Sequence, residues 1–192
     1  MTLTRTEVRD LLDRYQISPK RSLGQNFVVE PNTVRRIAEL AEIEIGDQVL
    51  EIGPGLGSLT LALEDQGAHV TALEIDDKLV EVLKEVTAGK QINILHEDAM
   101  KFDFKTYASS GRWKLVANLP YNISVPLICN ILDTSPSITE MLVMVQSEVA
   151  DRLVARPETK AYGFPSVKVS FYAEASLVSR VPPSVFFAAT KS

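Results

Sequence analysis

Apolar residues follow two alternating periods along the chain. Residues 4–16 and the segment after Pro31 carry apolar side chains at three- and four-residue intervals, which predicts an amphipathic helix in each. Beyond them, short continuous apolar runs alternate with further stretches of helical spacing. The runs predict strands at 48–52, 69–73, 92–95, 113–117, 141–145 and 176–181.

The alternation of strands and helices predicts the fold class. Parallel strands need crossover connections, and helices usually supply them. The apolar runs are continuous, which is typical of strands covered on both faces. We therefore expect an α/β protein with a mostly parallel, Rossmann-like sheet and helices on both faces. Segment 166–172 fits neither period clearly.

Composition narrows the class. The chain has 192 residues, of which 45% are hydrophobic and 23% charged, as in an ordinary globular domain. It lacks the long apolar run of a membrane span and the apolar core of a signal peptide. The single Cys129 and two histidines offer neither an internal disulfide nor a zinc-site pattern. We expect a cytoplasmic monomer with no metal and no membrane partner.

Net charge bears on the partner. A charge of −5 argues mildly against nucleic acid, because phosphate binding favours basic surfaces. A local basic rim would still serve, and Lys101, Lys105, Arg112 and Lys114 are candidates for it. Scattered surface charge is the better explanation for any one of them.

A glycine-rich turn follows the first strand of the predicted sheet, in the sequence Glu51-Ile52-Gly53-Pro54-Gly55-Leu56-Gly57. Ligands of such sheets bind at the carboxyl ends of strands, and glycine permits backbone angles that other residues avoid. A dinucleotide fingerprint would need a third glycine where Ser58 stands. The spacing instead resembles motif I of class I methyltransferases. This resemblance implies S-adenosylmethionine as cofactor and Glu51, Gly53, Gly55 and Gly57 among its binding residues.

Acidic residues end the next two predicted strands. Glu74 lies 21 residues after Gly53, where a carboxylate can accept the ribose hydroxyls of a nucleoside. Asp98 follows the third strand and is a candidate acceptor for the amino group of the cofactor adenine. Glu97 is the alternative for that role.

The tetrapeptide Asn118-Leu119-Pro120-Tyr121 follows the fourth strand and resembles motif IV of amino-methylating nucleic-acid methyltransferases. An adenine amine is a poor nucleophile, because its lone pair is delocalised into the ring. The Asn118 side-chain oxygen and the Leu119 carbonyl could hold both N–H groups and direct that lone pair. Pro120 makes the turn rigid, and Tyr121 offers an aromatic face to an unpaired base. The alternative is an ordinary Asn-x-Pro turn.

Together these segments resemble the small-subunit ribosomal RNA adenine dimethyltransferases, the KsgA group. The resemblance runs from about Lys20 to Phe187 and includes Leu23–Phe27, Lys160–Gly163 and Val181–Phe186. It implies methylation of the N6 amine of two adjacent adenines in small-subunit ribosomal RNA. It also implies a cofactor pocket formed by Gln25, Asn26, Val28, Gly53, Glu74, Asp98 and Asn118. The target adenine would be held by Asn118, Leu119, Tyr121 and Phe186.

Other interpretations stay open at this point. Val28 stands where the family usually carries Leu, a change that a main-chain contact would tolerate, and Phe186 could be a core residue. Large-subunit methyltransferases of the erythromycin-resistance type share the motifs, and a non-catalytic assembly factor could keep the fold. A small-molecule methyltransferase or an NAD enzyme fits the motifs less well.

The resemblance also divides the chain into segments. We expect a catalytic domain with an N-terminal helical extension over residues 1–187 and a short tail over 188–192. The family's last sheet strand and its small helical domain are expected to be missing.

Overall fold

The computed structural model of the protein describes residues 2–18 and 27–187, without the side chain of Phe187. Its strands are β1 Phe27–Val28, β2 Gln48–Ile52, β3 His69–Glu74, β4 Ile92–His96, β5 Trp113–Asn118, β6 Ile138–Met144 and β7 Phe186–Phe187. Its helices are α1 Arg5–Arg14, α2 Pro31–Leu40, α3 Ser58–Asp65, α4 Asp77–Val86, α5 Phe104–Tyr107, α6 Ser124–Thr134, α7 Ser147–Leu153 and α8 Phe164–Tyr172, with a 3-10 turn at Pro183–Val185. In this part of the chain no helix is long and apolar enough to cross a membrane.

Five strands form one parallel sheet in the order β4-β3-β2-β5-β6, which confirms the predicted α/β fold. The chain builds outward from β2 to β4 and then returns to the other side of β2 with β5. The connections that leave the neighbouring strands β2 and β5 therefore run to opposite sides of the sheet. Such a reversal opens a crevice at the carboxyl ends of the strands, where ligands of open α/β sheets bind.

Both faces of the sheet are covered by helices. Val49 of β2, with Val70 and Val116 of its neighbours, packs under α2 and α3. The next residue, Leu50, points to the opposite face and packs with Leu115 and side chains of α5, α6 and α8. Because side chains alternate along a strand, Glu51 returns to the face that α3 covers.

Helix α1 and the strand pair β1–β7 bring the two ends of the described chain against the rest of the domain. A capping box between Thr4 and Glu7 begins α1, and Val8, Leu11 and Leu12 are buried against α3 and α4. Strand β1 pairs antiparallel with β7, so that Val28 lies opposite Phe186. This pairing joins residues that are 158 positions apart in the sequence, and Val28 lines the cavity described below.

The last third of the chain departs from one expectation and resolves one ambiguity. The predicted strand at 176–181 is wrong, because this segment is exposed and pairs with no described strand. A strand requires a hydrogen-bonded neighbour, and the apolar pattern alone does not supply one. The ambiguous segment 166–172 lies in helix α8, where Ser166 and Val169 are buried.

Lys114 was one of the residues predicted to form a basic rim, but the structure places its side chain in internal contacts. Its ammonium donates to the carbonyls of Glu42 at 2.6 Å and Ala41 at 3.4 Å, and it pairs with Asp47 at 3.0 Å. Glu42 has a φ of +47°, so the chain turns sharply as α2 ends. Lys114 therefore holds the carboxyl end of α2 against the sheet and supplies a cation where the helix dipole favours one.

We expect Lys114→Met to keep the apolar stem of the side chain and lose these contacts. The free energy of unfolding should fall by about 1–3 kcal/mol, the cost of leaving hydrogen-bonding groups unpaired. Urea denaturation at pH 7 measures this loss, with the exposed Lys105→Met as the matched control. Equal denaturation midpoints for the two variants would contradict the assignment.

Candidate active site

A cavity of about 280 Å³ opens at the carboxyl ends of the parallel strands. It brings together most of the residues that the sequence singled out: Val28, Glu51, Gly53, Gly55, Glu74, Asp98, Asn118 and Pro120. Gly57, Leu119, Tyr121 and Phe186 belong to the surrounding segments and are not among its lining residues. Gln25 and Asn26 lie outside the described residues.

The glycine-rich turn needs its glycines for backbone reasons. Gly53, Gly55 and Gly57 have φ values of +68°, +58° and +90°, in the left-handed region that other residues rarely adopt. At Gly57 a side chain would also collide with α4, because an added Cβ would lie 2.8 Å from the Leu83 side chain. The turn therefore positions the start of α3 tightly against α4 and leaves main-chain atoms facing the cavity.

Glu74 shapes this turn as well as facing the cavity. Its Oε2 accepts a hydrogen bond from the Gly55 amide at 3.2 Å, and its Oε1 accepts from the amides of Ile75 and Asp76 at 3.0 Å each. These bonds use about three of the four acceptor sites of a carboxylate. Room is thus left for about one ligand hydroxyl rather than the two that strand-end placement suggested. Burial raises the pKa of Glu74, and the three amides oppose that rise.

The Glu51 side chain is more deeply buried than that of Glu74 and has fewer hydrogen-bond partners. Its side chain is buried at 2% exposure, and its Oε2 has no hydrogen-bond partner. The hydroxyl of Thr60 on α3, also buried, has no partner either. Burial raises the pKa of Glu51 to about 8, the carboxylate of Glu74 adds to the rise, and the Thr60 hydroxyl opposes it.

The cavity is acidic. Four carboxyl groups line it, and no lysine, arginine or histidine is among its described lining residues; the four are Glu51, Glu74, Glu97 and Asp98. No group of three or more metal-ligating side chains in residues 2–18 and 27–187 is arranged to hold a metal ion. This electrostatic character favours an organic cation over a polyanion.

Asp98 and Glu97 both reach the cavity from the loop after β4. Asp98 is half-buried, and its Oδ1 accepts the Met100 amide at 2.9 Å, which fixes the loop. Glu97 is exposed. The two positions stay alternatives for contact with an adenine amino group.

The tetrapeptide after β5 forms a rigid turn at the mouth of the cavity. The Leu119 amide donates to the Met144 carbonyl at 3.0 Å, and the Pro120 carbonyl accepts from the amides of Ile123 and Ser124 at 3.2 Å each. Asn118 is half-buried and lines the cavity, whereas Tyr121 is 42% exposed beside it. The turn thus has a polar group facing inward and an aromatic ring accessible from solvent.

Sequence reasoning did not assign the apolar wall of the cavity to the site. Val34 and Ile37 of α2 were predicted only as a buried stripe, yet they line the cavity with Phe27, Ile123 and Met144. Met144 ends β6, so its strand-end position was the available signal. The apolar wall suits a ligand with an uncharged ring or chain.

Comparison with known proteins gives consistent matches. The family model described as ribosomal RNA adenine dimethylase matches residues 17–191. A ribosomal RNA small subunit methyltransferase A from Corynebacterium jeikeium is 47% identical over 96% of the chain, and one from Corynebacterium efficiens is 48% identical over 95%. The chain spans 61% and 65% of the lengths of these two relatives.

Solved structures agree with the fold. A dimethyladenosine transferase from Plasmodium falciparum is 30% identical with a TM-score of 0.64, over 73% of this chain and 50% of that one. The 23S rRNA methyltransferase ErmE is 31% identical with a TM-score of 0.57, over 67% of this chain and 51% of that one.

The buried carboxyl group of Glu51 should make the stability of the ligand-free protein depend on pH. The group binds its proton more tightly in the folded protein than in the unfolded one. The stability that this proton contributes is complete below pH 4.5 and is lost as the pH rises toward 8. The loss should reach about 4 kcal/mol.

Urea denaturation at pH 5 and pH 8 tests this expectation against Glu51→Gln, whose amide does not titrate. The variant should lose less stability than the parent over this interval. Glu97→Gln, an exposed carboxylate of the same cavity, should keep the parent's pH dependence. An unchanged pH dependence in Glu51→Gln would be evidence against a protonated Glu51.

Proposed function

The chain belongs to the ribosomal RNA adenine dimethylase family, and from that membership we propose that it methylates the N6 amine of adenines in small-subunit ribosomal RNA. The methyl donor would be S-adenosylmethionine, and two adjacent adenines would each be dimethylated. The observation that carries the proposal is the acidic cavity bordered by the Asn118–Tyr121 turn. The proposed cofactor-binding cavity and the turn proposed to hold the target amine would thus lie next to each other at one edge of the sheet.

The cavity residues fit this cofactor better than a dinucleotide. S-adenosylmethionine carries a sulfonium and an ammonium group, whereas NAD carries a pyrophosphate. Four carboxyl groups and no described lining cation would repel the pyrophosphate and attract the two cationic groups. The orphaned Oε2 of Glu51 is an acceptor that such a cation would satisfy.

The nucleoside part of the cofactor would be held by residues already fixed in place. Glu74 would accept one ribose hydroxyl on the acceptor site that its three amide bonds leave. Asp98 or Glu97 would accept the adenine amino group, and the apolar wall would pack on the ring. Gln25, Asn26 and Val28 complete the proposed cofactor site.

The Asn118–Tyr121 turn would prepare the target amine. When bound, S-adenosylmethionine supplies an electrophilic methyl carbon. The Asn118 side-chain oxygen and the Leu119 carbonyl would accept the two N–H groups, which directs the nitrogen lone pair into the cavity. Tyr121 is exposed enough to stack on a base arriving from solvent, with Phe186 as the second aromatic face. No general base is assigned, because the alkylated amine is acidic enough to lose its proton to solvent after the transfer. Positioning would provide the main catalytic contribution.

The names of the relatives favour the small ribosomal subunit. The relatives with 47–48% identity are named for that subunit, whereas ErmE, named for 23S rRNA, is 31% identical. Ribosomal RNA as substrate implies action in the cytoplasm, where ribosomes assemble in bacteria such as these relatives.

Cofactor choice can be tested by calorimetry with S-adenosylmethionine and NAD. The first ligand should bind and the second should not, for the electrostatic reason above. Glu74→Ala should weaken binding by about 1–3 kcal/mol, because the Gly55 amide and a ligand hydroxyl lose their acceptor. Glu81→Ala, an exposed carboxylate on α4, is the control. Tighter binding of NAD would overturn the cofactor assignment.

The role of Asn118 predicts a defect in the chemical step. Asn118→Ala should lower single-turnover methylation of undermethylated small subunits by 10-fold or more, roughly the effect of losing one oriented contact in the transition state. Cofactor affinity should fall much less. Asn130→Ala, exposed on α6, should behave as the parent. Parent-like single-turnover rates for Asn118→Ala would exclude the proposed orientation of the amine.

A further inference from the structure

One side chain of the cavity is buried without the partner that a charged group requires. Glu51 is the penultimate residue of strand β2, just before the glycine-rich turn. Because side chains alternate between the two faces of a strand, its side chain is buried beneath α3. Its Oε2 is both inaccessible to solvent and without a hydrogen bond. A carboxylate in this state would carry a large desolvation cost, so the group retains its proton instead.

Among the described groups around Glu51, only the Thr60 hydroxyl opposes that cost, and it does not outweigh burial. Helix α3 presents the Thr60 hydroxyl, and strand β3 presents a second carboxyl group, Glu74. The loop after β4 adds the acidic side chains Glu97 and Asp98. Strands β1 and β5 and helix α2 contribute only uncharged side chains to the described lining. The residues that the structure describes thus place no positive charge beside Glu51, and a cationic ligand would supply one.

We propose that cofactor binding in this cavity is coupled to proton release, with Glu51 protonated in the free protein at neutral pH and ionised once a cationic group of the ligand lies beside it. The step breaks only the O–H bond of the Glu51 carboxyl group, and the proton passes to the buffer. The inference rests on the proposed function in taking S-adenosylmethionine as the ligand. It gives Glu51 a role that differs from that of Glu74, whose amide bonds hold the turn.

Proton release makes affinity depend on pH in a defined direction. Burial raises the pKa of Glu51 to about 8 in the free protein. Below that value the ligand must displace the proton, so the dissociation constant should fall by up to about tenfold for each unit of rising pH. Above it the gain in affinity should end, because Glu51 is then already ionised and the ligand's ammonium group begins to lose its own proton.

Titration calorimetry at pH 7 counts the protons. The heat of S-adenosylmethionine binding is measured in phosphate and in Tris, two buffers with different ionisation enthalpies. Close to one proton should be released by the parent chain and none by Glu51→Gln. Glu81→Gln removes an exposed carboxylate of α4 that does not line the cavity, and this variant should still release close to one. Thermal unfolding followed by circular dichroism establishes that each variant is folded.

A second ligand tests whether proton release depends on the positive charges of S-adenosylmethionine or only on its nucleoside. 5′-Methylthioadenosine keeps the nucleoside but has neither the sulfonium nor the ammonium group, so its binding to the parent should release no proton. Equal release with both ligands would overturn the coupling to ligand charge. Binding of S-adenosylmethionine without release would overturn the inference and leave the proposed function standing. Failure of the folded protein to bind S-adenosylmethionine would overturn the proposed function and the inference together.

Discussion

The carboxylate of Glu74 joins the two turns on which the cavity depends. One oxygen accepts the Gly55 amide in the turn after β2, and the other accepts two amides in the turn after β3. A buried carboxylate is stable in such a place only while amide donors surround it, and the glycine turn holds its left-handed shape only while its amides have acceptors. Each feature therefore stabilises the other. Glu74 therefore stabilises the glycine-rich turn even without a ligand, which is a structural reason for an acidic residue at this position.

Burying carboxyl groups in the cavity costs free energy in the ligand-free protein. Glu74 offsets its own burial with three amides, whereas Glu51 has no equivalent and lies beside a second carboxyl group. A protein gains binding specificity when its ligand satisfies groups that are otherwise unpaired, because competing ligands leave that cost in place. Glu74 therefore fixes the turn, whereas Glu51, in the proposal above, would be satisfied by a ligand of the right charge.

Local sequence patterns predicted the parts of the site that local physics determines. Gly53, Gly55 and Gly57 all have positive φ. Glu74 and Asn118 end their strands and Asp98 follows one, and the carboxyl ends of these strands meet. Features that depend on distant partners were not predicted. The apolar run at 176–181 has strand propensity without a neighbouring strand, and Lys114 faces the end of a helix about 70 residues earlier in the sequence. The three amides on Glu74 were also missed, since their positions depend on how two turns meet in space.

The cavity and an RNA partner make opposite electrostatic demands. Carboxylates that favour a cationic cofactor repel phosphate, and the chain as a whole carries a charge of −5. Charges separated by more than about 10 Å are largely screened at physiological salt, so the conflict is confined to the neighbourhood of the cavity. In the proposed reaction the base would approach the exposed Tyr121 as an uncharged ring, and only the phosphates of its own nucleotide would come near the carboxylates. Recognition at the cavity would therefore depend on the shape, stacking and hydrogen bonds of the base, and phosphate contacts would have to come from cations placed away from it.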